Sequence, residues 1–180
     1  MPGGGATTQP AARRPASNRP RRRTPSRQLP DFPIRSPSGT PPPLAVDVLT
    51  GDTRASRYGS NAAELLAHPE TRESVRGLFG SDQSRAMPLR LSRSAADFFG
   101  NPSPTKVLRI AGTDYVAATG CVPRACSTHP GLLLIRVDGK ELFARLDDGG
   151  FPHYYGFGTG VEMTPKTLAL LDAAWRALRP

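Results

Sequence analysis

Apolar residues are spread unevenly along the chain, and their spacing changes twice. From Met1 to Pro43 almost nothing is apolar besides Leu29, Phe32 and Ile34, and a proline recurs every few residues. Such a stretch cannot offset the entropy of ordering and excludes helix and sheet, so residues 1–43 are expected to form a disordered, partly polyproline II tail. Leu44 to Leu49 predicts a short edge strand, stopped at Thr50–Gly51–Asp52. A helical period follows. Asn61 with Glu64 three residues later marks the start of a helix over Ala62–Ala67, interrupted at Pro69. Pro69 suits the first position of a second helix, Glu70 to Phe79, with Val75, Leu78 and Phe79 on one face and Gly80 past its end. Met87–Leu91 reads as extended. Ser94 and Asp97 cap a single turn that holds Phe98 and Phe99, and Asn101–Pro102–Ser103–Pro104 is a loop.

From Lys106 the period shortens to that of a strand. Val107–Ile110 and Asp114–Thr119 flank a hairpin turn at Ala111–Gly112–Thr113. Leu132–Val137 and Lys140–Leu146 are joined by Asp138–Gly139, a strong hairpin signal, and His153–Phe157 follows the turn Asp147–Gly150. Thr164 caps a last helix with Pro165 at its first position, and Leu168, Leu171, Trp175 and Leu178 form the stripe that packs on the sheet. The fold class predicted is α+β: an antiparallel sheet of about five strands flanked by N-terminal and C-terminal helices, in a domain over 44–180.

Charge sharpens the division at Pro43. The first 43 residues hold 11 of the 20 prolines, eight arginines and a single acid, Asp31, and so carry seven of the nine net positive charges. From Leu44 onward 16 basic residues face 14 acidic ones, and the folded part is near neutral. Arg21–Arg22–Arg23 with Arg13, Arg14, Arg19 and Arg27 suits an anionic surface, but no aromatic is interleaved for base stacking, so specific nucleic-acid recognition is not expected. A solvated charge run is the plainer account. No apolar run reaches membrane-spanning length, and no apolar signal segment follows the basic residues.

Candidate chemistry is sparse. The histidines are His68, His129 and His153. Asp147 and Asp148 are adjacent, point apart, and read as a solvated turn. No nucleophile elbow is present, and Gly156–Phe157–Gly158–Thr159–Gly160 lacks the lysine of a phosphate-binding loop. Neither an enzyme nor a cofactor is expected. What stands out is Cys121–Val122–Pro123–Arg124–Ala125–Cys126, which contains the only two cysteines and lies between two strands. The pair suits a disulfide in a protruding loop; free thiols are the alternative, and a metal held by Cys121, Cys126, His129 and His153 lacks the paired motifs of structural zinc. A closed ring of this size with Pro123 in it loses little entropy on docking, which suits a rigid wedge. A disulfide that merely staples a turn, with Arg124 solvated, explains the same residues.

The run Leu108 to Cys126 (LRIAGTDYVAATGCVPRAC), leading into Leu132–Ile135, resembles the centre of the inhibitor of vertebrate lysozyme (Ivy) family. There a strand with a G-x-x-Y-like segment enters a Cys-x-Pro-His-Asp-Cys loop, and an apolar strand follows. Helix Glu70–Phe79 with Met87–Pro88–Leu89, Asp138–Gly139, strand Glu141–Leu146 and the C-terminal helix fall in family order, so the resemblance covers about residues 60–180. It implies a periplasmic α+β protein, often a homodimer, whose disulfide-closed loop plugs the active-site cleft of a c-type lysozyme; some members restrain lytic transglycosylases. Carried over, Cys121 and Cys126 match the disulfide and Pro123 the loop proline. The family's inhibitory histidine falls at Arg124 and its aspartate at Ala125, while His129 offers an auxiliary contact.

The expected function is therefore inhibition of a c-type lysozyme or related peptidoglycan-cleaving enzyme through Cys121, Val122, Pro123, Arg124, Ala125 and Cys126. An alternative is a non-inhibitory binding or adaptor domain of the same fold, whose basic tail reaches an acidic partner. The family implies the periplasm; the absence of an export signal in the sequence keeps a cytoplasmic location as the alternative.

Overall fold

Each strand of the sheet pairs with the strand that precedes it in the chain. The order is β1 (Val46–Leu49), β2 (Lys106–Ile110), β3 (Thr113–Cys121), β4 (Pro130–Arg136), β5 (Leu142–Asp148) and β6 (Phe151–Phe157), every neighbour antiparallel. The computed structural model describes residues 44–80 and 91–178, which belong to one compact unit, Thr40–Pro180. The 1–43 tail and most of the extended segment expected at Met87–Leu91 lie outside the described residues. The sheet has six strands rather than about five, because the edge strand joins it: Val46 lies opposite Ile110 and Leu49 opposite Val107.

Local chemistry accounts for most element ends. Helix α1 (Ala62–Ala67) starts where Asn61 Oδ1 accepts from the Glu64 amide at 3.1 Å, and Glu64 Oε2 reaches back to the Ser60 amide at 2.8 Å. His68, held extended by the proline that follows it (φ −63°, ψ 134°), ends that helix. Helix α2 (Arg72–Phe79) begins two residues later than the sequence suggests. The buried Thr71 hydroxyl donates to Leu65 O at 2.5 Å and to His68 O at 3.3 Å, so it closes α1 instead of letting Pro69–Glu70 open α2.

The hairpins differ in kind. Ala111 and Gly112 (φ 49° and 82°) form a two-residue turn between the paired Ile110 and Thr113. Gly149 and Gly150 (φ 63° and 95°) do the same between Asp148 and Phe151. Asp147 and Asp148 are thus strand residues and not a solvated turn, since the two glycines supply both left-handed positions. Asp138–Gly139 does not make a two-residue turn. Only Gly139 has positive φ (77°), Arg136 N donates to Glu141 O at 2.9 Å across a four-residue connection, and β5 starts at Leu142 instead of Lys140.

Both faces of the sheet are covered, which is why Gly131 to Ile135 of β4 is buried at every position. On one face, α1, α2 and the 3-10 helix Ala95–Phe99 pack over Val116, Ala118, Leu133, Ile135 and Ala144. On the other, α3 (Pro165–Leu178) sets Leu171, Ala174 and Trp175 against Leu108, Tyr115, Leu132, Leu134 and Phe143. One cation lies within that second layer. Arg145 bonds both oxygens of Asp147 (2.9 and 3.2 Å) and Asp172 Oδ1 (2.8 Å), and its guanidinium carbon sits 4.3 Å from the centre of the Trp175 ring. Burial, followed by the bond to Asp172, pushes the neighbouring Tyr154 hydroxyl up to about 12.

At the end of the sheet that leads to the cysteines, Gly120 of β3 lies opposite Gly131 of β4, beneath the backbone of Phe98 and Phe99. A Cβ at Gly120 would stand 2.8 Å from Phe99 Cα, and one at Gly131 would stand 2.9 Å from Phe98 O. Backbone cannot yield as a side-chain tip can. Gly120→Ala is expected to cost about 1–3 kcal/mol by overpacking, read as a lower melting temperature; an unchanged melt would show that the 3-10 helix is not held against this glycine pair.

Candidate functional site

The connection from β3 to β4 is closed by a disulfide between Cys121 and Cys126. Within it, Ala125 N donates to Val122 O at 2.9 Å, with Pro123 next and then Arg124 at φ 65°. That is the arrangement of a type II turn, in which Pro is favoured second and the third position requires positive φ, normally met by Gly or Asn. Arginine there pays a steric cost of roughly 1–2 kcal/mol.

The six residues divide by direction. Val122 is buried in the core under the N-terminal helices, Ala125 packs against it, and Cys121 is buried as well. Pro123, Arg124 and Cys126 are exposed, with Ser127 and Thr128 beyond them. Pro123 rests on Gly100, where a Cβ would come within 3.0 Å of its Cδ. Arg124 forms no ion pair among the described residues, whereas Arg54, Arg109, Arg136 and Arg145 are each tied to carboxylates.

Three sets of bonds hold the loop from beneath. Asn101 and Cys121 exchange backbone bonds (2.9 and 3.3 Å), and the Asn101 side-chain Nδ2 lies 3.7 Å from each sulfur. Val122 N donates to His129 O at 3.0 Å, and His129 N to Ala125 O at 2.8 Å, which closes a second turn. Gly149 N, from the β5–β6 turn, donates to Thr128 O at 3.0 Å. A groove of about 590 Å³ runs beside the disulfide between Asn101–Pro104, Thr119, Leu132 and the Trp175–Leu178 end of α3.

His129 turns toward the sheet. Its Nε2 lies 3.2 Å from Asp148 Oδ1 and its Nδ1 2.7 Å from Thr128 Oγ1, with the ring tilted against Phe98. Asp148 also accepts from the Ser92 amide and hydroxyl, both at 2.6 Å. A hydroxyl, an imidazole and a carboxylate in that order resemble a hydrolase relay. The Gly149 amide alongside is engaged by Thr128 O, and the Thr128 hydroxyl also meets Ala125 O at 3.3 Å. The cluster ties the base of the loop to the end of β5.

Burial pushes the Asp148 carboxyl up, but the Ser92 bonds and the nearby His129 and His153 outweigh it, and the net shift is downward. A folded value below the unfolded one stabilises above the ordinary carboxylate range, and that contribution is lost as pH falls through the folded value. Asp148→Asn should therefore flatten the acid limb of melting temperature against pH; an acid limb identical to wild type would overturn this assignment.

His68 and His153 do not join the site. His68 meets the edge of Tyr58 at 5.9 Å between ring centres, and His153 is buried on β6 with Nδ1 lacking a hydrogen-bond partner among the described residues. No group of three His, Cys, Asp or Glu that could hold a metal occurs among the described residues, and both cysteines are in the disulfide. No helix among them is long and apolar enough to cross a membrane. Sequence reading missed Asn101, the Gly120–Gly131 pair and the Ser92–Asp148–His129 cluster. Their partners lie 11 to 56 positions away, and no local pattern marks them. No family model, curated protein or solved structure matches this chain.

Proposed function

We propose that this protein inhibits a c-type lysozyme or a related peptidoglycan-cleaving enzyme by presenting the Cys121–Cys126 loop to its active-site cleft, as the resemblance to the Ivy family implies. The observation that carries the reading is Arg124: exposed, without an ion pair among the described residues, and set where glycine would cost less. Strained backbone positions cluster at functional sites, so an exposed arginine held in one supports a role for its side chain. Val122 and Ala125 anchor the turn, so the guanidinium approaches a partner from a body already ordered, and little entropy is lost on docking.

A glycosidase cleft supplies the complementary group. It holds two carboxyls, one kept protonated by an apolar pocket so that it can act as an acid. A guanidinium between them forms charge-assisted bonds with both and favours the ionised form of the acid, removing the proton that catalysis needs. The function implies the periplasm, where a disulfide persists.

The test is a titration of a c-type lysozyme acting on peptidoglycan with wild type and Arg124→Ala. Wild type is expected to inhibit, and Arg124→Ala to lose inhibition with its melting unchanged to within the effect of one exposed side chain. Equal potency of the two proteins would remove Arg124 from the site. A wild type that inhibits neither a lysozyme nor a lytic transglycosylase would reject the function and leave the adaptor reading in its place.

A further inference from the structure

Phe151 is the most exposed large apolar side chain among the described residues, at 68% of its full surface. Phe98, Phe99 and Phe143 are buried and Phe157 is 38% exposed, so Phe151 is the phenylalanine of the described residues that gives the core least. It is the first residue of β6, directly after the two-glycine turn, which offers it no side chain for cover. Pro152 beside it is exposed as well.

Two connections fix this turn to the cysteine loop. Gly149 N donates to Thr128 O at 3.0 Å. Phe151 is also the cross-strand partner of Asp148, whose carboxylate holds Ser92 and His129. Because Asp148 and Phe151 are paired across the hairpin, their side chains leave the same face of the sheet, the face into which Val122 and Ala125 pack. The connection that carries Arg124 and the turn that leads into Phe151 are thus joined, through Thr128 and Gly149, at one end of the sheet. Arginine is among the residue types that dominate binding energy at interfaces, and phenylalanine is enriched in interfaces relative to the rest of a protein surface.

Resting on the function proposed above, we propose that Phe151 is a second anchor of the same interface, and that it packs on an apolar sugar subsite of the cleft that Arg124 enters. Sugar rings present C–H faces, and a cleft that binds them carries apolar or aromatic walls beside its carboxylates. A phenyl ring from the inhibitor fills such a wall site in place of a sugar. The pairing of a cation for the acids with an aromatic for the subsite also gives specificity: an acidic protein surface without an apolar wall satisfies only one of the two.

The experiment is a titration of c-type lysozyme activity on peptidoglycan with wild type, Phe151→Ser, Phe151→Tyr and Arg124→Ala, each with a thermal melt. Phe151→Ser is expected to weaken inhibition at least about tenfold with an unchanged melt, and Phe151→Tyr to stay near wild type because the ring is kept. Phe151→Ser as potent as wild type, while Arg124→Ala fails, overturns this inference and leaves the loop intact as the site. A loss that tracks a lower melting temperature and is not rescued by Phe151→Tyr overturns it too, as does a change confined to oligomeric state. A wild type without inhibition rejects this inference together with the function on which it rests.

Discussion

Arg124→Gly is expected to fold as well as wild type or about 1 kcal/mol better, and to inhibit on the order of a hundredfold less. The two effects have opposite signs because they come from different parts of one residue. The backbone of Arg124 sits at φ 65° in the third position of the Val122–Ala125 turn, where an L side chain is strained and glycine is not. The side chain projects from a loop whose neighbours, Val122 and Ala125, face the core. Truncating one partner of a desolvated charge pair costs about 2–5 kcal/mol, most of it from the carboxylates left buried in the cleft. Arg124→Ala keeps the strain and loses the charge, so the two variants should match in inhibition and differ in stability. A glycine variant that melts lower than the alanine variant would show that the turn is not strained at Arg124. A glycine variant that inhibits like wild type would remove the guanidinium from the mechanism.

Arg145→Ala is expected to cost about 3 kcal/mol, the low end for breaking a buried ion pair, and to lower the melting temperature by on the order of 10 °C. The Arg145 side chain is 15% exposed and Asp147 10%, so Asp147 would remain with little water to replace the guanidinium. Asp172, at 34%, can be hydrated in place of its lost bond, which holds the cost to the lower figure. The stack on Trp175 is lost as well. Arg145→Lys should recover only part of the loss, since an ammonium cannot fork onto Asp147 and reach Asp172 while lying flat on the indole. Replacing Arg145 by Met and Asp147 by Leu together should be milder than Arg145→Ala alone, because the buried Asp147 charge is removed with its partner and only the more exposed Asp172 loses a bond. If the double variant melts lower than the single one, the pair does more than neutralise itself.

Much of the fold is local and was therefore legible. The Asn61 and Ser94 caps and the Thr164–Pro165 helix start occur where the residue types place them, and the turn expected at Ala111–Gly112–Thr113 forms with Thr113 given to β3, because each involves partners within a few positions. The errors have separate causes. Pro69 failed to open α2 because Thr71 was engaged with the preceding helix, Asp138–Gly139 failed to make a tight turn because only Gly139 took positive φ, and Asp148 left the turn for the strand because Gly149 and Gly150 made the turn alone.

The candidate site was legible as a loop and not as a surface. Cysteine spacing, Pro123 and Arg124 are visible in one stretch of six residues, and the disulfide closes where that spacing allows. The direction of each side chain is not visible there, since Val122 and Ala125 turn inward only because the Phe98–Phe99 segment and the N-terminal helices cover that face. Phe151 fell between the turn expected at Asp147–Gly150 and the strand expected at His153–Phe157, and only the pairing of β6, the Gly149–Thr128 bond and the Asp148–His129 contact bring it toward the cysteines.

By itself the sequence determined the α+β class, the antiparallel pairing, the element order and the identity of the constrained loop, because periodicity, caps and turn residues act over a few positions. Only the tertiary structure decided which face of the sheet each helix covers, that β1 completes a six-stranded sheet, that Arg145 is buried beneath α3, and that the connection carrying Arg124 is bonded through Thr128 to the turn preceding Phe151. Those depend on contacts between residues far apart in the chain, and an isolated stretch carries no physical trace of a partner it meets only on folding.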